Sequence, residues 1–139
     1  ENVLPFLDKT EKEFVSKRRL EQGYLRKVLF KNKSTIKCSC CGKNFPVSFV
    51  WCSHIKKRNF CSLDEKNDIN VVTPMCKFGC DDLFEKGFIS VNNEGKIVQI
   101  KKVQNDNIEK YINGIINNRV INFSEKNSKY FNWHYEYNK

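Results

Sequence analysis

The first helical rhythm along the chain is in residues 10–30, where Phe14, Leu20, Tyr24, Leu25, Val28 and Leu29 broadly give an apolar stripe. Thr10-Glu11-Lys12-Glu13 has the form of a capping box, with Thr10 as side-chain acceptor and Glu13 reaching back, so a helix is expected to open there. Gly23 weakens that helix locally. Residues 1–9 read as a lead-in and residues 31–35 as a loop. From 45 to 55 the pattern changes to a run rich in Phe, Val and Trp, which predicts a pair of strands. Residues 59–67 are polar and read as a loop. Val71-Val72-Thr73 is a short strand ending at Pro74, and residues 80–86 predict a short helix stopped by Gly87. Phe88-Ile89-Ser90-Val91 and Lys96-Ile97-Val98-Gln99-Ile100 flank Asn92-Asn93-Glu94-Gly95, a β-hairpin signal. Asp106 or Asn107 can cap a helix through Ile108, Tyr111, Ile112, Ile115 and Ile116, and Ser124 can cap a last helix holding Tyr130, Phe131, Trp133, His134 and Tyr137.

That order predicts an α+β fold in one domain, residues 1–139. Its parts are a helical lead-in (1–35), a cysteine-bracketed middle with the hairpin (36–100) and C-terminal helices (101–139). The chain opens on Glu1 and its single methionine is Met75, as expected of a piece of a longer protein. Forty per cent hydrophobic and 13% aromatic residues are too many for a disordered chain. A formal charge of +9 calls for an anionic partner, nucleic acid first. Lys17, Arg18, Arg19, Arg26 and Lys27 are the basic residues of the first helix, and Lys56-Lys57-Arg58 form a second cluster suited to phosphate. No apolar run approaches the roughly 20 residues that cross a bilayer, so no membrane partner is expected.

Seven cysteines change the picture. The count is odd, and two close pairs sit far apart, Cys38/Cys41 and Cys76/Cys80. That fits metal thiolates in a reducing, bacterial-type cytoplasm better than disulfides. Cys38-x-x-Cys41 followed by Gly42, with Cys76-x-x-x-Cys80, can present four sulfurs to one tetrahedral Zn²⁺. A site closed by four thiolates has no open position, so this zinc is expected to be structural. Cys40 can substitute for a neighbour, and Cys52, on an apolar strand beside Trp51, is expected in the core.

Between the cysteine pairs lies the chemistry. His54 ends an apolar strand and precedes the basic cluster; a neutral imidazole there can take a proton from water. Asp81, directly after Cys80, offers a hard oxygen for Mg²⁺ or Mn²⁺. Asn70 opens the Val71 run and can bridge backbone groups across the hairpin to hold His54 in register. His134, beside Trp133, is a weaker candidate for a neighbour of the site, the other reading being a helix-surface residue.

Five ordered stretches carry a resemblance. They are Arg19, Gln22, Gly23, Tyr24 and Arg26; Ser53-His54-Ile55-Lys56; Glu65-Lys66-Asn67-Asp68-Ile69-Asn70; residues 81–90, Asp-Asp-Leu-Phe-Glu-Lys-Gly-Phe-Ile-Ser; and Tyr130-Phe131-Asn132-Trp133-His134. Together, over residues 19–134, they resemble the HNH (ββα-metal) endonucleases of bacterial restriction-type proteins. The resemblance implies a ββα-metal core and metal-dependent DNA cleavage. It implies His54 as base, Asn70 as organiser and Asp81 in the third motif position, with Asp81 and His54 at a catalytic Mg²⁺ or Mn²⁺. Double-stranded DNA is the expected partner, met by Lys56, Lys57, Arg58, Arg19 and Arg26. Another domain or subunit is expected to supply sequence specificity, and a homodimer is the simple route to cutting both strands. Many of these enzymes carry Asp directly before the base; this chain has Ser53. That departure favours an alternative, a zinc-stabilised DNA-binding module with a degenerate HNH site. A nonspecific toxin-like nuclease is a third reading.

Overall fold

Helix α1, Lys9–Phe30, is held by its C-terminal half, which packs on the central strands, in a computed structural model that describes residues 9–139. Leu25 and Phe30 are buried and Val28 and Leu29 half-buried, whereas Phe14, Leu20 and Tyr24 face solvent. The stripe expected to bury is therefore real over its last two turns alone. Lys9 and Thr10 are already helical, so Thr10 is not the cap. Of residues 1–9, read above as the lead-in, only Lys9 is among the described residues.

Residues 31–37 do more than loop: β1, Thr35–Lys37, pairs antiparallel with β2, Asn44–Pro46, around the first cysteine pair. The expected strand pair within 45–55 is thereby divided. Its first residues belong to β2; then a 3₁₀ turn, Val47–Phe49, leads into β3, Val50–His54, which pairs with β4, Val72–Cys76. The register sets Val50 opposite Cys76 and His54 opposite Val72. Strand β4 runs through Pro74 instead of ending there. Ile55 N–H donates to Val71 O (2.7 Å), so in the alternating ladder Cys52–Pro74 is a non-hydrogen-bonded pair and the missing N–H of proline costs no rung. The outward carbonyl of Pro74 accepts from Ser39 N–H at 2.8 Å, fastening the cysteine turn to β4.

Between β3 and β4 the polar segment is ordered. Ser62 and Glu65 form a full capping box for a short helix, α2, Leu63–Lys66. Helix α3, Cys80–Glu85, ends at Lys86 as expected, with Gly87 N–H on Phe84 O (3.1 Å) and Phe88 N–H on Leu83 O (2.9 Å), a Schellman closure. The hairpin is β5, Ile89–Val91, with β6, Ile97–Gln99. Helix α4, Asp106–Asn113, is capped by Asn105, one residue before the expected cap, and stops at Gly114 short of Ile116. Ser124 closes a turn of its own; the last helix, α5, Ser128–Asn138, starts after Asn127. The whole is a small α+β fold of short antiparallel hairpins, with Ile55, Val71, Met75, Phe84, Ile89, Ile97, Ile112, Tyr130 and Phe131 in its core. Among the described residues no helix is long and apolar enough to cross a membrane.

His134 is not a surface residue. It is buried on α5 with its ring stacked 3.6 Å from that of Phe84. Its Nε2 meets Phe84 O at 2.7 Å and its Nδ1 meets Ser90 Oγ at 2.6 Å. A carbonyl can only accept, so Nε2 carries the proton and the Ser90 hydroxyl donates to Nδ1. Burial pushes its pKa from the ordinary 6.5 down to about 4, the Phe84 carbonyl resisting. Above pH 6.5 both folded and unfolded chains are neutral at this ring; below it the unfolded chain takes a proton that the fold refuses. Stability should therefore fall as pH drops from about 6.5 towards 4. Urea midpoints across that window, compared with those of His134→Asn, check this: the variant should lose much of the slope, and an unchanged slope would contradict it.

Candidate metal centre and cleft

Cys38 and Cys41 sit in the turn between β1 and β2, where Cys38 N–H donates to Lys43 O (2.9 Å) and Gly42 N–H to Cys38 O (2.9 Å). Cys76 ends β4 and Cys80 opens α3. The four Sγ atoms all lie within 4.8 Å of one another. Tetrahedral zinc, at about 2.3 Å from each sulfur, sets sulfurs about 3.8 Å apart, so the cluster is placed to bind such an ion. Cys76 N–H donates to Cys38 Sγ at 3.3 Å, and Tyr111 OH lies 3.1 Å from Cys80 Sγ and 3.6 Å from Cys76 Sγ. Tyr111, on α4, supports the sulfurs from outside, as second partners do in metal sites. Gly79, at φ +154°, turns the chain from β4 into α3; a Cβ there would stand 2.8 Å from the Tyr111 ring.

The thiols compete for ionisation. Cys38 is pushed well down because Cys40, Cys76 and Cys80 offer it S–H bonds, and Cys80 is pushed well up by the same contacts, Cys38 first. Burial raises Cys41 to about 11. Like charges packed this closely cannot all form without a cation among them, which is what a divalent ion supplies. Cys40 is fully buried beside Cys38 but stands outside the four. Cys52 is half-buried: it packs against the core, as expected, and also lines a cleft.

That cleft, of about 510 Å³, lies between α1, β3 and α3 and is lined by His54, Ser53 and Asp81 together with Arg18, Lys57, Arg58 and Glu85. The Ser53 hydroxyl donates to Asp81 Oδ1. Burial raises the Asp81 pKa, with the Ser53 bond acting against it. Burial, then the Arg58 charge, lowers the His54 pKa, so the imidazole is neutral at pH 7. His54 Nε2 is buried and, among the described residues, has no hydrogen-bond partner. A buried ring nitrogen left unpaired is unusual and is satisfied where water or a metal ion reaches it.

Asn70 is not one of the lining residues. Its backbone N–H and its Nδ2 both donate to Asp68 Oδ1 (3.0 and 2.9 Å), and Asp68 Oδ2 accepts from Tyr130 OH at 2.6 Å. The link across the hairpin beside it is the backbone bond between Ile55 and Val71.

The basic residues are largely engaged. Lys56 pairs with Glu65 (2.9 Å) and Lys57 with Glu85 (3.2 Å). Arg58 grips the buried Glu21 with two nitrogens (2.9 and 3.3 Å), strapping α1 to the loop after β3. Arg26 donates to Val50 O and lies over the Phe30 ring. Arg19 is exposed, whereas Arg18, a step of about 100° round the helix, is the one that enters the cleft. The sequence names both residues, but one helix face out of two is chosen by tertiary packing. No protein-family model matches the chain, and no curated protein matches it.

Proposed function

We propose that this chain is a metal-dependent DNA endonuclease domain of the HNH (ββα-metal) kind, from a restriction or anti-phage type protein, hydrolysing phosphodiester bonds. The observation that carries the reading is the convergence of His54, from the end of β3, and Asp81, from the first turn of α3, in one cleft with cationic walls. The order β3, β4, α3 is that of a ββα unit. His54, neutral and unpaired at Nε2, takes the proton of the attacking water. Asp81, tethered by Ser53, is the residue that would hold Mg²⁺ or Mn²⁺, its hard oxygen suiting such an ion, because the His54 Nε2 lone pair that takes the proton cannot also bind the metal. When bound, the ion supplies Lewis acidity towards a phosphate oxygen. Asn70, fixed on Asp68, steadies the loop next to the last rung below His54. Lys57, in an exposed pair with Glu85, is free to exchange that carboxylate for a phosphate. The zinc cluster fixes the start of α3 and with it Asp81. The partner is double-stranded DNA, with sequence specificity supplied by another domain or subunit.

The second reading, a DNA-binding module with an inactive site, draws on Ser53: the residue before the base bears no charge of its own. Zinc-loaded protein with supercoiled plasmid, in Mg²⁺, Mn²⁺ or neither, separates the two. Nicked or linear product that needs the added ion supports the nuclease; a gel shift without cleavage supports the module. An RNA arm beside the duplex addresses a nonspecific nuclease. Asp81→Ala should shift the Mn²⁺ dependence of cleavage to far higher concentration or prevent saturation, and Ser53→Asp should lower it. A wild-type metal curve for Asp81→Ala would show that Asp81 serves only the helix start.

A further inference from the structure

Strand β3 belongs to a two-stranded sheet, so one long side of it lacks a neighbouring strand. The cleft follows that side: Trp51, Cys52, Ser53 and His54 all line it. Trp51 stands three residues from His54, about 10 Å along an extended strand. It is 49% exposed, although Val50 beside it is fully buried. A second hollow, lined by Gln22, Arg26 and His54 among others, shares Trp51 and Cys52 with the first. Lys77 Nζ sits 4.2 Å from the centre of the Trp51 ring. The backbone N–H of Lys77 donates to Phe49 O, and Phe49 is stacked on Phe78 at 5.8 Å with 16° between the rings. Phe49 and Phe78 are both exposed.

Trp51 leaves about half of its surface to solvent, with Lys77 over the ring. Cations outnumber carboxylates around it, with Arg18, Arg26, Lys57 and Lys77 against Asp81 and Glu85, on a chain of charge +9. Flat rings among cations are what single-strand grooves combine: the cations follow the backbone and the rings take the faces of bases. In a duplex those faces are already covered by neighbouring bases, so an exposed ring gains nothing from B-form DNA.

We infer that Trp51, with Lys77 beside it, is a stacking platform for an unpaired nucleobase, so that the DNA strand whose phosphate lies at His54 is locally single-stranded. The substrate class is then duplex DNA with an unpaired segment, such as a flap, bubble or frayed end, or a single strand. This deepens the nuclease reading and rests on the cleft being its nucleic-acid site.

The test measures binding apart from cleavage. Zinc-loaded chain without Mg²⁺ or Mn²⁺ is titrated with a labelled oligo-dT and with a blunt duplex of equal length at one salt concentration, followed by anisotropy. Trp51→Ala should weaken oligo-dT binding about ten-fold and leave the duplex nearly unchanged. Trp51→Phe, which keeps a ring, should recover most of the loss. Oligo-dT should quench indole fluorescence in the wild type and not in Trp51→Phe, where Trp133 is the remaining tryptophan. Equal loss on both DNAs, no loss on oligo-dT, or no quenching in the wild type would overturn the platform. If the platform result holds while plasmid is never cut, the nuclease reading fails alone. If plasmid is cut and Trp51→Ala binds oligo-dT like the wild type, the platform fails alone.

Discussion

Cys38→Ser or Cys76→Ser should remove zinc from the protein and with it the cooperative thermal transition. The cluster joins the β1–β2 turn to the end of β4 and the first turn of α3, so one bound ion would tie three parts of a small fold together. The apparent binding energy of structural zinc is about 10–16 kcal/mol in zinc-finger peptides. That equals or exceeds the roughly 5–15 kcal/mol by which ordinary domains are stable. Losing one sulfur also leaves the Cys76 N–H or the Tyr111 hydroxyl facing an altered, buried acceptor. Cys61→Ser is the control: its buried thiol reaches Lys56 O and Lys57 O at 3.7 and 3.5 Å, away from the four. That variant should keep its zinc. Elemental analysis with a thermal melt checks both, and a well-folded wild type without zinc would contradict the account.

His54→Ala should lower cleavage by roughly 10²–10⁴-fold, the range typical of losing a general base. Zinc content, fold and DNA affinity should hardly move. The side chain is half-buried on a cleft wall and Nε2 has no partner to abandon, so truncation leaves no buried group newly unpaired. The pH profile carries a second signature. Burial and Arg58 hold the His54 pKa below 6.5, so the wild-type rate should persist to a lower pH than an ordinary imidazole permits and then fall as the ring protonates. Removing the positive charge with Arg58→Gln should raise that pKa and move the acid limb to higher pH. An unmoved limb would mean that another group titrates.

Local signals were the legible ones. The cysteine knuckle, the Asn92–Gly95 hairpin and the Gly87 stop each depend on a few neighbouring residues whose backbone needs are strict. Thr10-Glu11-Lys12-Glu13 and Ser62-Leu63-Asp64-Glu65 carry the same capping signature, yet the second is a cap and the first lies inside a helix. The pattern states what a segment can do and leaves the choice to its surroundings. Strand β1 is three residues long, too short for a period to show, and exists because β2 folds back on it. Pro74 reads as a stop since it lacks an N–H, but whether that matters depends on which rung it occupies, a fact set by β3. Within the site, His54 and Asp81 were found as types and spacings, and the cleft brings them together. In the sequence Tyr111 is one more apolar helix position; nothing near it says that its hydroxyl meets Cys80, 31 residues away in sequence. The burial of His134 is illegible for the same reason, because Phe84 O and Ser90 come from other elements.

As proposed, the cleft hydrolyses DNA with His54 as its base and a divalent ion beside it. The most direct measurement is the rate of supercoiled-plasmid conversion by zinc-loaded wild type as Mn²⁺ is raised from zero, run beside His54→Ala at matched zinc content. The expected rate rises with Mn²⁺ and saturates for the wild type, and stays roughly 10²–10⁴-fold lower for the variant. Conversion that ignores Mn²⁺, or that proceeds equally in both proteins, would contradict it.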